Sequence, residues 1–257
     1  MTTERIYVGS YTSQPGGGQG IGFGPPAGIG LVATTTDPSF LVRSADGRFL
    51  YVTNETENGS VSAFAIQPDG SLRSSGGLGM LWYAGKAFGD FSFKAQFRDM
   101  SPDEHRANSG IFTRFPDPRT PLEERPPGSC GTLGSARNSE AWVAIYCGQE
   151  IQIYDGESGE PQKTGSVYNF DPVGLDGANP TEKGVWNEYE VRVVGQHYTI
   201  IRNGIVINEF DNTPGKESSR PSDPPTDLRQ FLSGYIGLQN HGNNDVIEFR
   251  NIRVREL

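Results

Sequence analysis

Apolar and polar residues alternate in short runs along most of this chain. In the clearest run Phe91, Phe93, Ala95 and Phe97 interleave with Ser92, Lys94, Gln96 and Arg98, the period-two pattern of a strand with one buried and one wet face. Similar runs predict strands at 79–83, 109–114, 150–155, 198–202, 205–210, 237–241 and 246–254. Asn203-Gly204 separates two of them and supplies both positive φ angles of a type I′ turn, which predicts a two-residue hairpin. Nearer the N-terminus, runs at 6–12, 37–41, 44–55 and 60–66 are punctuated by Asp46-Gly47 and Asn58-Gly59, again a hairpin signature. The glycine- and proline-rich stretch from Pro15 to Gly30 predicts a loop. Insertions at 116–139 and 211–229, rich in Pro, Gly, Ser and charge, read either as functional rims or as disordered segments.

Nothing after about residue 75 repeats the N-terminal pattern, so the chain divides into an N-terminal β segment, 1–75, and a larger sandwich-like domain, 76–257. Thirty-four Gly and 18 Pro among 257 residues suit short strands joined by tight turns rather than helices. A net charge of −9 without any dense Lys/Arg run excludes a nucleic-acid partner. No stretch reaches the roughly 18 apolar residues of a membrane span. Met1-Thr2-Thr3-Glu4-Arg5 leads into a strand rather than into a signal-peptide core. The two cysteines, Cys130 and Cys147, read as a disulfide in an oxidising compartment or as a pair of buried thiols.

The runs at 6–12 and 37–66 resemble the first blade and a half of the seven-bladed propeller lactonases, the 6-phosphogluconolactonase-like family. A propeller needs at least four blades to close, so this incomplete fragment does not bring lactonase activity with it. A lone hairpin fragment must dock on the larger domain, pair with a second copy of the chain or remain mobile. From residue 76 onward, Phe88-Gly89-Asp90-Phe91, Asn108-Ser109-Gly110-Ile111-Phe112, Glu150-Ile151-Gln152-Ile153, Trp186-Asn187-Glu188-Tyr189, Asn203-Gly204, Gly237-Leu238-Gln239-Asn240-His241-Gly242 and Phe249-Arg250-Asn251-Ile252 occur in order. These anchors resemble the 3-keto-disaccharide hydrolase family, which implies an all-β, concanavalin/laminin-G-like jelly-roll sandwich. That family carries a further N-terminal strand segment, so here the sheet lacks an edge or is completed by 60–73. The resemblance and the cysteine pair lean toward an extracytoplasmic setting, periplasmic or secreted.

Strand parity puts Glu150 and Gln152 on one sheet face and Ile151 and Ile153 on the other. The run through Asp155 is also similar to the catalytic strand of the laminarinase-type glycosidases, but Gln152 and Asp155 replace two of its carboxylates, which weakens an ordinary retaining mechanism. The 3-keto family implies other chemistry: a ketone at C3 of the sugar acidifies the C2 proton, a base removes it, and the C1 substituent leaves, by hydrolysis if water adds back. Glu150 and His241 suit the catalytic roles, with Asn108, Arg114, Trp142, Gln152, Asp155 and Gln239 as substrate-binding candidates. Glu150 and His241 would also be the ligands should the site take a divalent cation. A noncatalytic lectin-like module, or a fusion product that has lost activity, are the competing readings. His105 reads as a solvated loop residue and His197 as a surface one.

Overall fold

Three short strands open the chain, β1 (Ile6–Gly9), β2 (Ile21–Gly24) and β3 (Gly30–Ala33), paired antiparallel in that order. Four more, β4 (Pro38–Arg43), β5 (Phe49–Asn54), β6 (Ser60–Ile66) and β7 (Leu72–Ser74), form an antiparallel meander. The computed structural model describes residues 5–44, 46–55, 60–74, 79–242 and 244–257, which fall into two units, one from residues 1–75 with 248–250 and one from 76–247 with 251–257. The Asn58-Gly59 turn lies outside the described residues.

The N-terminal unit is more than a hairpin, because it has an apolar centre of its own. Ile21, Leu50, Val52 and Phe64 are buried, with Tyr7, Leu41 and Leu72 packed against them. The stretch read as a loop is corrected here: β2 lies inside it and its Ile21 is fully buried. Glycine and proline density marks turns, yet one apolar residue with a partner sheet is enough to hold a four-residue strand. Within the N-terminal unit β6 pairs with β5, and β7 with β6.

In the larger unit β8 (Gly79–Trp82), β10 (Ser109–Phe115), β11 (Gln149–Ile153) and β15 (Tyr235–Asn240) make a four-stranded sheet in the order β11-β10-β15-β8. The second sheet has the order β14-β13-β12-β9-β16, from β9 (Phe91–Asp99), β12 (Asn187–Val194), β13 (His197–Arg202), β14 (Ile205–Asp211) and β16 (Ile247–Glu256). Alternation sets the inner faces: Phe91, Phe93, Ala95 and Phe97 face in beside Tyr189, Val191 and Val193, and from the other sheet come Ile111, Ile151 and Ile153. The Tyr189 hydroxyl, buried among them, donates to the Gln152 carbonyl across the sandwich at 3.0 Å. The Asn203-Gly204 turn closes the β13–β14 hairpin, with φ of 51° at Asn203 and 81° at Gly204. The fold is all-β and antiparallel, a sandwich preceded by small sheets.

One element runs against the strand pattern. Residues 140–147 form a helix, α1 (Glu140–Cys147), which buries Ala141, Val143, Ala144, Tyr146 and Cys147. It covers one end of the outward face of the four-stranded sheet, where Ala141 and Ala144 pack on Met80, Phe112 and Phe115. Both long insertions are tied down. Arg125 donates to the carbonyls of Pro118, Thr120, Gly131 and Ala136, and a disulfide joins Cys130 to Cys147. In the second insertion Arg229, 3 % exposed, donates to the carbonyls of Pro224, Ile145 and Gly148. A second, four-residue helix, α2 (Leu175–Ala178), follows β11. Among the described residues no helix is long and apolar enough to cross a membrane.

Candidate functional site

Parity along β11 sends Ile151 and Ile153 into the sandwich and leaves Glu150 on the opposite face, beyond the edge of α1. The carboxyl fits there because its diagonal neighbour on β10 is a glycine: a Cβ on Gly110 would lie 3.0 Å from Glu150 Cγ and 3.1 Å from Oε1. Gln239, on β15, donates from Nε2 to Glu150 Oε1 at 2.8 Å. The segment after β11 folds back over the strand, with Tyr168 N–H donating to the Glu150 carbonyl at 2.8 Å. Glu150 is 7 % exposed, and its burial pushes the carboxyl up to about 7 against the opposing pull of the Gln239 hydrogen bond and of the charges on His241 and Arg229. A carboxyl so shifted exchanges protons near neutrality, as a general acid or base must.

His241 follows the last residue of β15. Its Nδ1 pairs with Asp245 Oδ2 at 2.9 Å, and its side chain is 46 % exposed, so the ring is within reach of a ligand. The Asp245 hydrogen bond raises the imidazole above its ordinary value; partial burial opposes this, while Asp245, Glu150 and Glu160 add electrostatic support. Asp245 also accepts the Asn108 N–H and pairs with His105 Nε2, each at 2.8 Å. Glu160 accepts the Tyr168 hydroxyl at 2.8 Å, and the Tyr168 phenol is raised by burial and by that carboxylate. Two acceptors here, Asn108 Oδ1 and Gln239 Oε1, are buried with no hydrogen-bond partner among the described residues.

The structure therefore links Glu150 to Gln239 by a hydrogen bond and to His241 by charge, and ties His241 through Asp245 to the Asn108 backbone. Arg114 is corrected: a bulge between Thr113 and Phe115, with φ of 58° at Arg114, turns its 1 % exposed guanidinium onto Asp90 and the Phe231 carbonyl. Asp155 is corrected likewise, because both its oxygens are taken by Arg202, at 2.8 and 2.6 Å, in an ion pair between the sheets. Trp142 lies on α1, packed edge-on to Tyr146 with ring centroids 5.2 Å apart. Gln152 shares the Glu150 side of β11 but is 1 % exposed, its Oε1 accepting the Ile153 N–H at 3.2 Å. His197 pairs at the surface with Asp211. His105 is 45 % exposed, yet bound to Asp245 rather than simply solvated. Asp245, Glu160 and Tyr168 were not anticipated; they sit in loops, where no periodic signal points at a site. Among the described residues no group of three or more His, Cys, Asp and Glu side chains is gathered for a metal ion.

Residues 46–255 match the profile of the 3-keto-alpha-glucoside-1,2-lyase-like domain, and residues 5–84 match that of the lactonase 7-bladed beta-propeller. No curated protein matches the chain. Among solved structures, a protein of Parabacteroides distasonis assigned as a glycosyl hydrolase is 20% identical with a TM-score of 0.53, over 80% of this chain and 90% of that one. A second protein of that organism with the same assignment is 18% identical, TM-score 0.47, over 76% and 80%. The carbohydrate-binding module CBM66 of Bacillus subtilis is 10% identical, TM-score 0.42, over 76% and 92%.

Proposed function

We propose, on the premise that the chain belongs to the 3-keto-alpha-glucoside-1,2-lyase-like domain family, that its Glu150–His241 face cleaves 3-keto-glycosides at C1. The observation that carries this reading is the buried carboxyl held at about 7, bound by Gln239 of β15, the strand that ends beside a raised imidazole at His241. A C2–H next to a ketone is acidic enough for a carboxylate of that basicity to remove. The electron pair moves to the C3 oxygen as an enolate and returns to expel the C1 oxygen, leaving a C1–C2 double bond. Glu150, ionised, takes the C2 proton; His241, protonated, meets the developing negative charge and gives its proton to the departing oxygen. Water adding across the new double bond gives the hydrolysis products. The raised imidazole favours the proton His241 must give, and a carboxyl at about 7 is more basic than an ordinary glutamate while still part ionised near neutral pH. Gln239 steadies the carboxylate through its Nε2 donation to Oε1.

The Cys130–Cys147 disulfide supports an oxidising, extracytoplasmic setting. The experiment is incubation with 3-keto-trehalose and with a 3-keto-glucoside, followed by product analysis for the unsaturated keto-sugar and the free alcohol. Turnover that falls by at least about 100-fold in Glu150→Gln and in His241→Ala, with folding intact, is the expected result. Unchanged turnover in both variants removes the assignment. Saturable binding of glycans with no turnover in any form favours the noncatalytic module instead.

A further inference from the structure

We propose that Asp245 is a positioning residue for His241: it grips Nδ1 of the imidazole so that proton transfer to the substrate runs through Nε2. The inference rests on the reading of His241 as the acid and adds a residue to that site. Free neutral histidine prefers its proton on Nε2, the wrong arrangement for a ring that must hand over its Nε2 proton and remain in place. A carboxylate on Nδ1 reverses the preference and supports the imidazolium beforehand.

The geometry carries this in three ways. Asp245 Oδ2 sits 2.9 Å from His241 Nδ1. Its other oxygen is held at 2.8 Å by both the Asn108 N–H and His105 Nε2, and the side chain is 8 % exposed, so the carboxylate is fixed from both ends. The turn is shaped for the contact, since a Cβ on Gly242 would stand 2.3 Å from Asp245 Oδ2 and force it away. Burial opposes ionisation of Asp245, yet the hydrogen bonds from His241, Asn108 and His105 hold its carboxyl below the usual range. The charged groups acting on His241 are Asp245, Glu150 from β11 and Glu160 from the following loop, with His105 sharing the Asp245 carboxylate.

Ring nitrogen shifts of the ¹⁵N-labelled full chain, free of substrate and at a pH where His241 is neutral, test the proposal. The wild-type ring is expected to carry its proton on Nδ1; Asp245→Asn moves most of it to Nε2 and lowers kcat about 10–100-fold with little change in KM. Gly242→Ala, which displaces the carboxylate without altering its charge, gives the same ring shift. His105→Ala keeps the Nδ1 proton and lowers kcat less than about fivefold, as for a half-exposed pair. A wild-type neutral ring protonated on Nε2, an Asp245→Asn ring still protonated on Nδ1, or a His105→Ala protein that matches Asp245→Asn in both measurements would overturn it. The ring readout needs no substrate, so absence of turnover on 3-keto-glycosides sinks the proposed function while leaving this result to stand or fall separately.

Discussion

The outward face of the four-stranded sheet is used in two ways. At one end α1 covers Met80, Phe112 and Phe115 with Ala141 and Ala144; at the other, the same strands present Glu150 and Gln239 under a polar loop. The two uses meet side by side, because Phe112 of β10 pairs directly with Glu150 of β11 and Met80 of β8 with Gln239 of β15. The difference teaches how the carboxyl acquires its character: close to an apolar layer that excludes water, and compensated by one amide and distant charges, it is held near neutrality instead of ionising like a surface glutamate.

The apolar end should give the largest change in stability. Phe112→Ala removes a fully buried ring under α1 and is expected to cost about 3–5 kcal/mol in denaturant unfolding, against little effect if α1 only rests on the sheet. Next, Cys130→Ser with Cys147→Ser opens the 17-residue separation closed by the disulfide and should lower stability by about 3 kcal/mol; an unchanged midpoint would break the link between this loop and the helix.

The polar end should respond in the opposite sense. With its folded-state value raised from 4.5 to about 7, Glu150 keeps a proton that the unfolded chain releases, so stability falls as pH rises through that window and levels off above it. Glu150→Gln removes that slope and is expected to be more stable than wild type by about 3 kcal/mol above pH 8, with no gain at pH 4; equal slopes in the two proteins would contradict it. The smallest effect is expected at Gln239. Its hydrogen bond opposes the rise of Glu150, so Gln239→Met should move the rising limb of the pH–rate profile to higher pH, whereas a limb moving lower would break the comparison.

What could be read from residue order was what depends on strand parity and on turn chemistry. Alternation placed Phe91 to Phe97 inward and put Glu150 opposite Ile151, and Asn203-Gly204 closes its hairpin. What could not be read depends on neighbours distant in sequence. The run Glu-Ala-Trp-Val-Ala-Ile-Tyr-Cys of α1 has apolar residues nearly all round and no helical period; it is a helix because Met80 and Phe112 offer it a floor. Arg114 escaped its parity because a bulge inserts an extra residue. Asp155 faces Arg202, 47 positions away, and Asp245 meets His105 across 140, pairings that no local window contains.

Glu150 is a buried carboxyl poised near neutrality, and its own titration is decisive. A ¹³C-carboxyl NMR titration, with Glu150→Gln to assign the resonance, should show a midpoint close to 7. A midpoint near 4.5, the value of an unperturbed glutamate, would contradict the account.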